Sequence, residues 1–249
     1  LLTSGFVGAD IENLCNEAAL LAVRRGKSKI GMQEIKDSIT RVIMGPEKRS
    51  HKTGPQMKRL VAYHEAGHAI LFHLLPDVGP VYTVSIIPTG MGAAGYTMPV
   101  PENDNVFETK GRMIQEIKVG MGGRIAEELI FDDVTTGASQ DIKQVTDTAR
   151  SMITKFGMSD RLGFINYEEN TDEVFLGRDL GHSRSFSEEV ASIIDKEVKK
   201  LVDDCAKRIL TENMDVLHSC ANLLLEKERI SREEFEALFK NDKAAEENL

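Results

Sequence analysis

Residues 61–70 read Val-Ala-Tyr-His-Glu-Ala-Gly-His-Ala-Ile, and the stretch from His64 to His68 constrains the chain more than any other. It has the form H-E-x-x-H. On a helix, residues i and i+4 stand one turn apart on one face. His64 and His68 can therefore offer two imidazoles to one zinc ion, with Glu65 beside them as a general base. The flanks predict a helix, since Pro55 suits a start and Pro76 a stop. Met57, Leu60, His64, His68, Leu71 and Leu75 share one arc at about 3.6 residues per turn. That arc reads as a buried stripe, where an unpaired imidazole is costly and a metal would satisfy it. His73 falls on the opposite side and reads as solvent-facing. A chance match on a core helix is the competing reading.

Two histidines do not complete a zinc site. The candidates for a third ligand are Glu127, Glu128, Asp132, Asp133 and Asp141. Over Arg124–Ile130 the apolar residues Ile125, Ala126, Leu129 and Ile130 define the inward face. Glu127 and Glu128 lie about 130° from its centre at roughly 100° per residue, so both read as solvated charges. Asp141 shares an arc with Val145, Thr148 and Met152, in the first turn of a helix that Ser139 is placed to cap. The competing reading is that it serves only the helix N-terminus. Geometry ranks Asp141 first, then Glu128, then Glu127.

The rest of the chain supplies a scaffold. Its 249 residues are enough for one large domain or two modest ones. A formal net charge of −9 argues against nucleic acid as a partner. Cys15, Cys205 and Cys220 form no C-x-x-C, so they read as reduced thiols rather than a disulfide framework. The longest apolar run, Ala18–Val23, is too short to span a membrane. The chain opens on Leu1-Leu2-Thr3 without Met and reads as part of a longer protein.

In order, a helix begins near Asp10, with Ile11, Leu14, Cys15, Ala18, Leu21 and Ala22 at helical spacing. A second opens at Met32, with Ile35, Ile39, Val42 and Ile43 inward, and Gly45-Pro46 stops it. Residues 1–46 thus form a small helical unit and 47–54 a linker. A zinc-binding domain spans 55–240 and a frayed tail 241–249. Val81–Ile87 and Ala94–Met98 read as short strands, with Pro99 and Pro101 marking an edge. Between them Thr89–Gly95 is glycine-rich but lacks the lysine of a phosphate loop. Ala93, Ala94, Gly95 and Tyr96 could receive an extended polypeptide as an added strand, or form a plain hairpin. Residues 106–130 read as helix with a break at Gly120, Gly122 and Gly123, and 159–184 as a polar, mobile segment. A long helix follows from about Ser187, with Cys205 and Ile209 inward. A second covers Met214–Lys227, and Ser231-x-x-Glu234 opens a short third. The fold class is mainly α with a small β-hairpin.

Two sets of motifs carry a resemblance. Gly5-Phe6-Val7-Gly8-Ala9-Asp10-Ile11 with Leu14 and Glu17-Ala18-Ala19 resembles the start of the helical lid of AAA ATPases, where the Gly8-Ala9 pair would approach the nucleotide. His64–Ala69, Gly123–Glu128, Thr136-Gly137-Ala138-Ser139-x-Asp141, Phe156–Ser159 and Val174–Arg178 occur in that order. Together they resemble the membrane-anchored AAA zinc proteases of the FtsH family. The resemblance implies an Asp-zincin-type domain with one Zn2+ per subunit, held by His64, His68 and Asp141, and Glu65 as catalytic base. It implies a homo-hexamer at the cell membrane, with the peptidase on the cytoplasmic side. Its substrates would be unfolded or damaged polypeptides, membrane proteins included. ATP and Mg2+ would bind only in the longer parent, because no G-x-x-x-x-G-K-[ST] occurs here. The rival reading is a non-catalytic oligomerisation scaffold with a structural zinc.

Overall fold

The computed structural model describes residues 3–48, 53–90, 92–100, 107–167, 186–203 and 207–246. The expectations at Val174–Arg178, Pro101 and Cys205, and most of those for 159–184, lie outside these residues.

The molecule is organised around α3 (Pro55–Leu74). Pro55 occupies its first turn, where a missing N–H costs nothing. From Val61 to Leu71 almost every residue is buried. The small residues Ala62, Ala66, Gly67 and Ala69 let neighbours approach from several sides. The closest is α5 (Gly122–Phe131). A Cβ on Gly122 would lie 2.8 Å from the carbonyl oxygen of Gly67. The two helices therefore cross backbone to backbone, and the expected break falls between Gly120, where α4 ends, and Gly122, where α5 begins.

Behind α3 lie α8 (Lys207–Glu212), α9 (Met214–Lys227) and α10 (Arg232–Glu246). Ile70 and Leu71 share a core with Leu210, Leu217, Leu224 and Phe235. A second core joins α4 (Lys110–Gly120), α6 (Ser139–Thr154) and α7 (Glu188–Asp203) through Met113, Ile117, Val145, Met152, Ile194 and Val198. Among the described residues one antiparallel sheet is present, ordered β2 (Tyr96–Pro99), β1 (Val81–Ser85), β3 (Arg229–Ser231). Tyr96 pairs with Ser85, and Ser231 pairs with Thr83. β3 was not expected from sequence. It is three residues long, and its pairing partner is distant in the chain. The Ser231–Glu234 capping box does form, with Ser231 N donating to Glu234 Oε2 at 2.9 Å.

The N-terminal hairpin of α1 (Gly8–Arg24) and α2 (Met32–Met44) rests on this sheet. Leu14 and Ile39 are buried with Tyr96 and Met98. Ile11 and Ile43, expected inward, are exposed, as is Cys15, because the hairpin buries one narrow side only. α1 starts at Gly8, and Asp10 sits in its first turn with its carboxylate accepting from Val7 N at 2.9 Å.

His73 differs from expectation. It stacks on Phe239, ring centroids 4.1 Å apart, and meets Phe235 edge-on. Because α3 is enclosed by other helices, its far side is not a solvent face.

Candidate metal centre and active-site cleft

α3 presents His64, Glu65 and His68 to a cleft of about 1070 Å³. Of the arc read as a buried stripe, Met57, Leu60, His64 and His68 line this cleft, while Leu71 and Leu75 pack into the core. Met57 at its outer end is 53% exposed, while Leu71 at the inner end is fully buried. α6 forms the opposite wall and carries Asp141 in its first turn. Asp141 Oδ2 lies 3.2 Å from His64 Nε2 and 3.9 Å from His68 Nε2. The two Nε2 atoms are 3.1 Å apart. One ligand atom from each of the three residues falls within 4.8 Å of the others.

The far nitrogens explain this convergence. His68 Nδ1 lies 2.7 Å from the carbonyl oxygen of Val119, an acceptor only, so Nδ1 carries the proton. His64 Nδ1 donates to Glu127 Oε1 at 2.8 Å. Both Nε2 atoms are then bare when the rings are neutral. Two bare nitrogens and a carboxylate oxygen aimed at one point repel one another unless a cation sits among them. This donor set, two imidazoles and one carboxylate, fits zinc. Burial pushes the His64 imidazolium down, but hydrogen bonds to Asp141 and Glu127 outweigh it and raise its pKa.

Glu127 overturns the reading of a solvated charge. Its side chain is fully buried. Besides His64, it accepts from Thr135 N and Thr135 Oγ1, both at 3.0 Å on Oε2. It therefore orients a histidine instead of joining the ligand group. Glu128 points outward and pairs with Lys207 at 2.7 Å. Asp132 ends α5 in the left-handed region, with φ 50°. Asp133 accepts from Val134 N. Neither belongs to the group.

Thr135, not Ser139, organises the approach to α6. Its hydroxyl accepts from Gly137 N at 3.1 Å and caps a 3-10 turn over Thr136–Ala138. α6 continues from that turn with Ala138 at its N-cap and no side-chain cap. Gly123 is a second site residue that patterning missed. It lies against the His64 ring, in space that a Cβ would occupy.

Glu65 is 6% exposed. Burial, with a smaller push from Asp141, raises its carboxyl to about 7, opposed by His64 and a hydrogen bond from Thr97. Ala93, Ala94, Gly95 and Tyr96 border the same cleft beside β2. The Tyr96 ring packs away from it, in the cluster with Leu14 and Ile39. Gly8 and Ala9 are the first two residues of α1 and exposed.

Paired histidines on one helix, a carboxylate from a second, and a buried glutamate between ligands define a metallopeptidase centre of the H-E-x-x-H class. Comparison with known proteins gives the family. Residues 51–238 match the model for peptidase family M41, and residues 1–37 match that for the AAA+ lid domain. The chain belongs to peptidase family M41. It is 52% identical over 243 residues to the ATP-dependent zinc metalloprotease FtsH 1 of Thermoanaerobacter sp. (strain X514), covering 96% of this chain and 40% of that protein. Over 244 residues it is 51% identical to the ATP-dependent zinc metalloprotease FtsH of Caldicellulosiruptor bescii, covering 97% of this chain and 39% of that protein. The chain thus spans about two fifths of the length of the curated relatives it matches.

Proposed function

We propose that this chain is the peptidase portion of an ATP-dependent zinc endopeptidase that hydrolyses unfolded or damaged polypeptides. The observation that carries the reading is the buried Glu65, next to His64 in sequence and lining one cleft with His64, His68 and Asp141. A zinc ion held by those three residues would polarise the scissile carbonyl and lower the pKa of the attacking water. Glu65 takes the water's proton and returns it to the leaving amine. Burial raises the Glu65 carboxyl, the direction that suits a base which must also give its proton back.

β2 lies at the edge of the sheet, so its outer backbone groups can pair with an extended substrate next to Ala93–Tyr96. Backbone pairing gives affinity with little side-chain selectivity, which suits unfolded chains.

The names of the relatives support a larger assembly. In it, residues 1–46 complete an ATPase module that binds ATP and Mg2+ beside Gly8 and Ala9, 47–54 link it to the peptidase, and 55–240 form the peptidase. We read the whole as a homo-hexamer anchored in the cell membrane, its peptidase facing the cytoplasm and membrane proteins among its substrates. Among the described residues no helix is long and apolar enough to cross a membrane, so the anchor would lie elsewhere. The net charge of −9 disfavours nucleic acid as a partner.

The rival reading, a scaffold with a structural zinc, needs a closed four-ligand site. Among the described residues the group contains three candidates, and a scaffold has no use for Glu65. The deciding experiment is Glu65→Gln, assayed for zinc content and for cleavage of an unfolded protein with and without chelator. Retained zinc with lost cleavage is expected. A variant that still cuts would remove Glu65 from the chemistry.

A further inference from the structure

Strand β2 is in contact with two different parts of the molecule, because successive side chains point to opposite faces. Gly95 and Thr97 face α3. A Cβ on Gly95 would lie 2.7 Å from Val61 Cγ1 and 2.9 Å from Glu65 Cγ, so the strand backbone rests directly on the helix at Glu65. Thr97 Oγ1 lies 2.9 Å from Glu65 Oε2 and 3.1 Å from the Glu65 backbone oxygen. Tyr96 and Met98 face the other way and are buried with Leu14 of α1 and Ile39 of α2.

We propose that Thr97 is a positioning residue for Glu65, and that the α1–α2 hairpin, packed on the opposite face of β2, holds the strand that carries it. This rests on Glu65 acting as the base. A carboxylate on two methylenes can rotate about its last bond, and burial alone does not choose an orientation. The Thr97 hydroxyl shares its one proton between the Glu65 backbone oxygen at 3.1 Å and Oε2 at 2.9 Å, and the shorter bond holds Oε2, which leaves Oε1 to take the proton. The hairpin offers β2 an apolar backing: when Leu14 and Ile39 press on Tyr96 and Met98, Thr97 is pressed onto α3. Displacement of the hairpin would remove that backing and let the hydroxyl leave Oε2. The position of the hairpin thus controls the alignment of the base without touching a metal ligand.

The test measures cleavage of a short unstructured peptide, which needs no unfolding, in the whole protein, with zinc quantified for every variant. Glu65→Gln is the reference. If it is inactive with zinc bound, Thr97 is tested separately from the base. Thr97→Val keeps the side-chain shape and removes the hydroxyl. It is expected to lower kcat about ten- to hundredfold with KM and zinc content unchanged. Thr97→Ser is expected to recover kcat to within about threefold by restoring the donor. Ile39→Ala is expected to lower kcat in the native background and to add nothing to Thr97→Val, as residues acting in series should. Native kcat in Thr97→Val, or a serine variant as slow as the valine one, overturns the positioning role. Losses from Ile39→Ala and Thr97→Val that multiply overturn the link to the hairpin. A Glu65→Gln protein that still cuts overturns the base assignment, a result distinct from the other two.

Discussion

Gly123 lies against the imidazole of His64. A Cβ at position 123 would sit 2.6 Å from Cδ2 of the ring and closer still to Cε1 and Nε2. α5 therefore supports the first histidine with a bare backbone, in the same turn that crosses α3 at Gly67.

Gly123→Ala is expected to push His64 away from Asp141. Zinc affinity should fall about tenfold or more, as when an outer-shell support is lost. Overpacking should also cost about 1–3 kcal/mol of stability. Metal content after dialysis and a denaturant melt measure the two effects. A variant with native zinc content would show that the ring can shift without cost.

Glu127→Gln is expected to weaken zinc binding about ten- to hundredfold, because the amide is a poorer acceptor for His64 Nδ1–H. Glu128→Gln should leave it unchanged, since Glu128 points away from the metal group and pairs with Lys207 at an exposed site. Asp141→Asn should lose zinc most completely. Metal titration of the three variants gives the ranking, and equal affinities for Glu127→Gln and Glu128→Gln would refute the orienting role.

Ala94→Pro probes the substrate strand. Ala94 is exposed two residues before β2, and proline there removes an N–H that an extended substrate could use next to the sheet edge. Peptide cleavage should lose affinity, read as a raised KM with zinc retained. Unchanged cleavage would exclude strand addition at this position.

Glu34 gives the hairpin a pH dependence. Its buried carboxylate accepts from Lys27 Nζ at 2.7 Å and Arg25 Nη1 at 2.9 Å, and these bonds hold it at about 2, against an ordinary 4.5. The folded pKa is depressed. Its contribution to stability is therefore complete above about pH 4.5 and is lost as pH falls toward 2. The stability gap between the native chain and Glu34→Gln should be widest above this window and close within it. Denaturant melts across the window check the sign.

Cys220 and Cys15 should differ in reactivity. Burial pushes the Cys220 thiol up to about 12, so almost no thiolate is present at neutral pH, whereas Cys15 is exposed. Alkylation of the folded protein should label Cys15 and reach Cys220 only on unfolding. Equal labelling of both would mean that α9 opens readily.

The parts of the fold that could be read from sequence were those with local signals. Pro55 and the H-E-x-x-H spacing delimit α3, and Ser231 with Glu234 marks the start of α10. Asp141 stands out in sequence because it falls at the edge of an apolar arc, although the expected Ser139 cap does not form. The helical wheel misplaces Glu127 for a physical reason. A helical wheel assigns carboxylates to water, and the group that makes this one worth burying, His64, is 63 residues away. Gly122 and Gly123 mark the break between α4 and α5, but their packing role was hidden because their partners, Gly67 and His64, lie on another helix. The available signal was a glycine within the motif helix and a glycine pair at the start of another, which suits a close crossing. β3 carries too few residues to show a period at all.

β3 also bears on when the molecule is finished. Ile230 accepts a hydrogen bond from Thr83 across 147 residues of chain. Contacts at such separation form late, after the loop between them has been closed. During synthesis, the motif helix and Asp141 emerge well before the strand that completes the sheet beside them. A nascent chain can thus expose the ligands while β1 still has an unpaired edge. The sheet that carries β2 beside the cleft gains its third strand only when residues 229–231 have been made, long after the residues that line the metal centre.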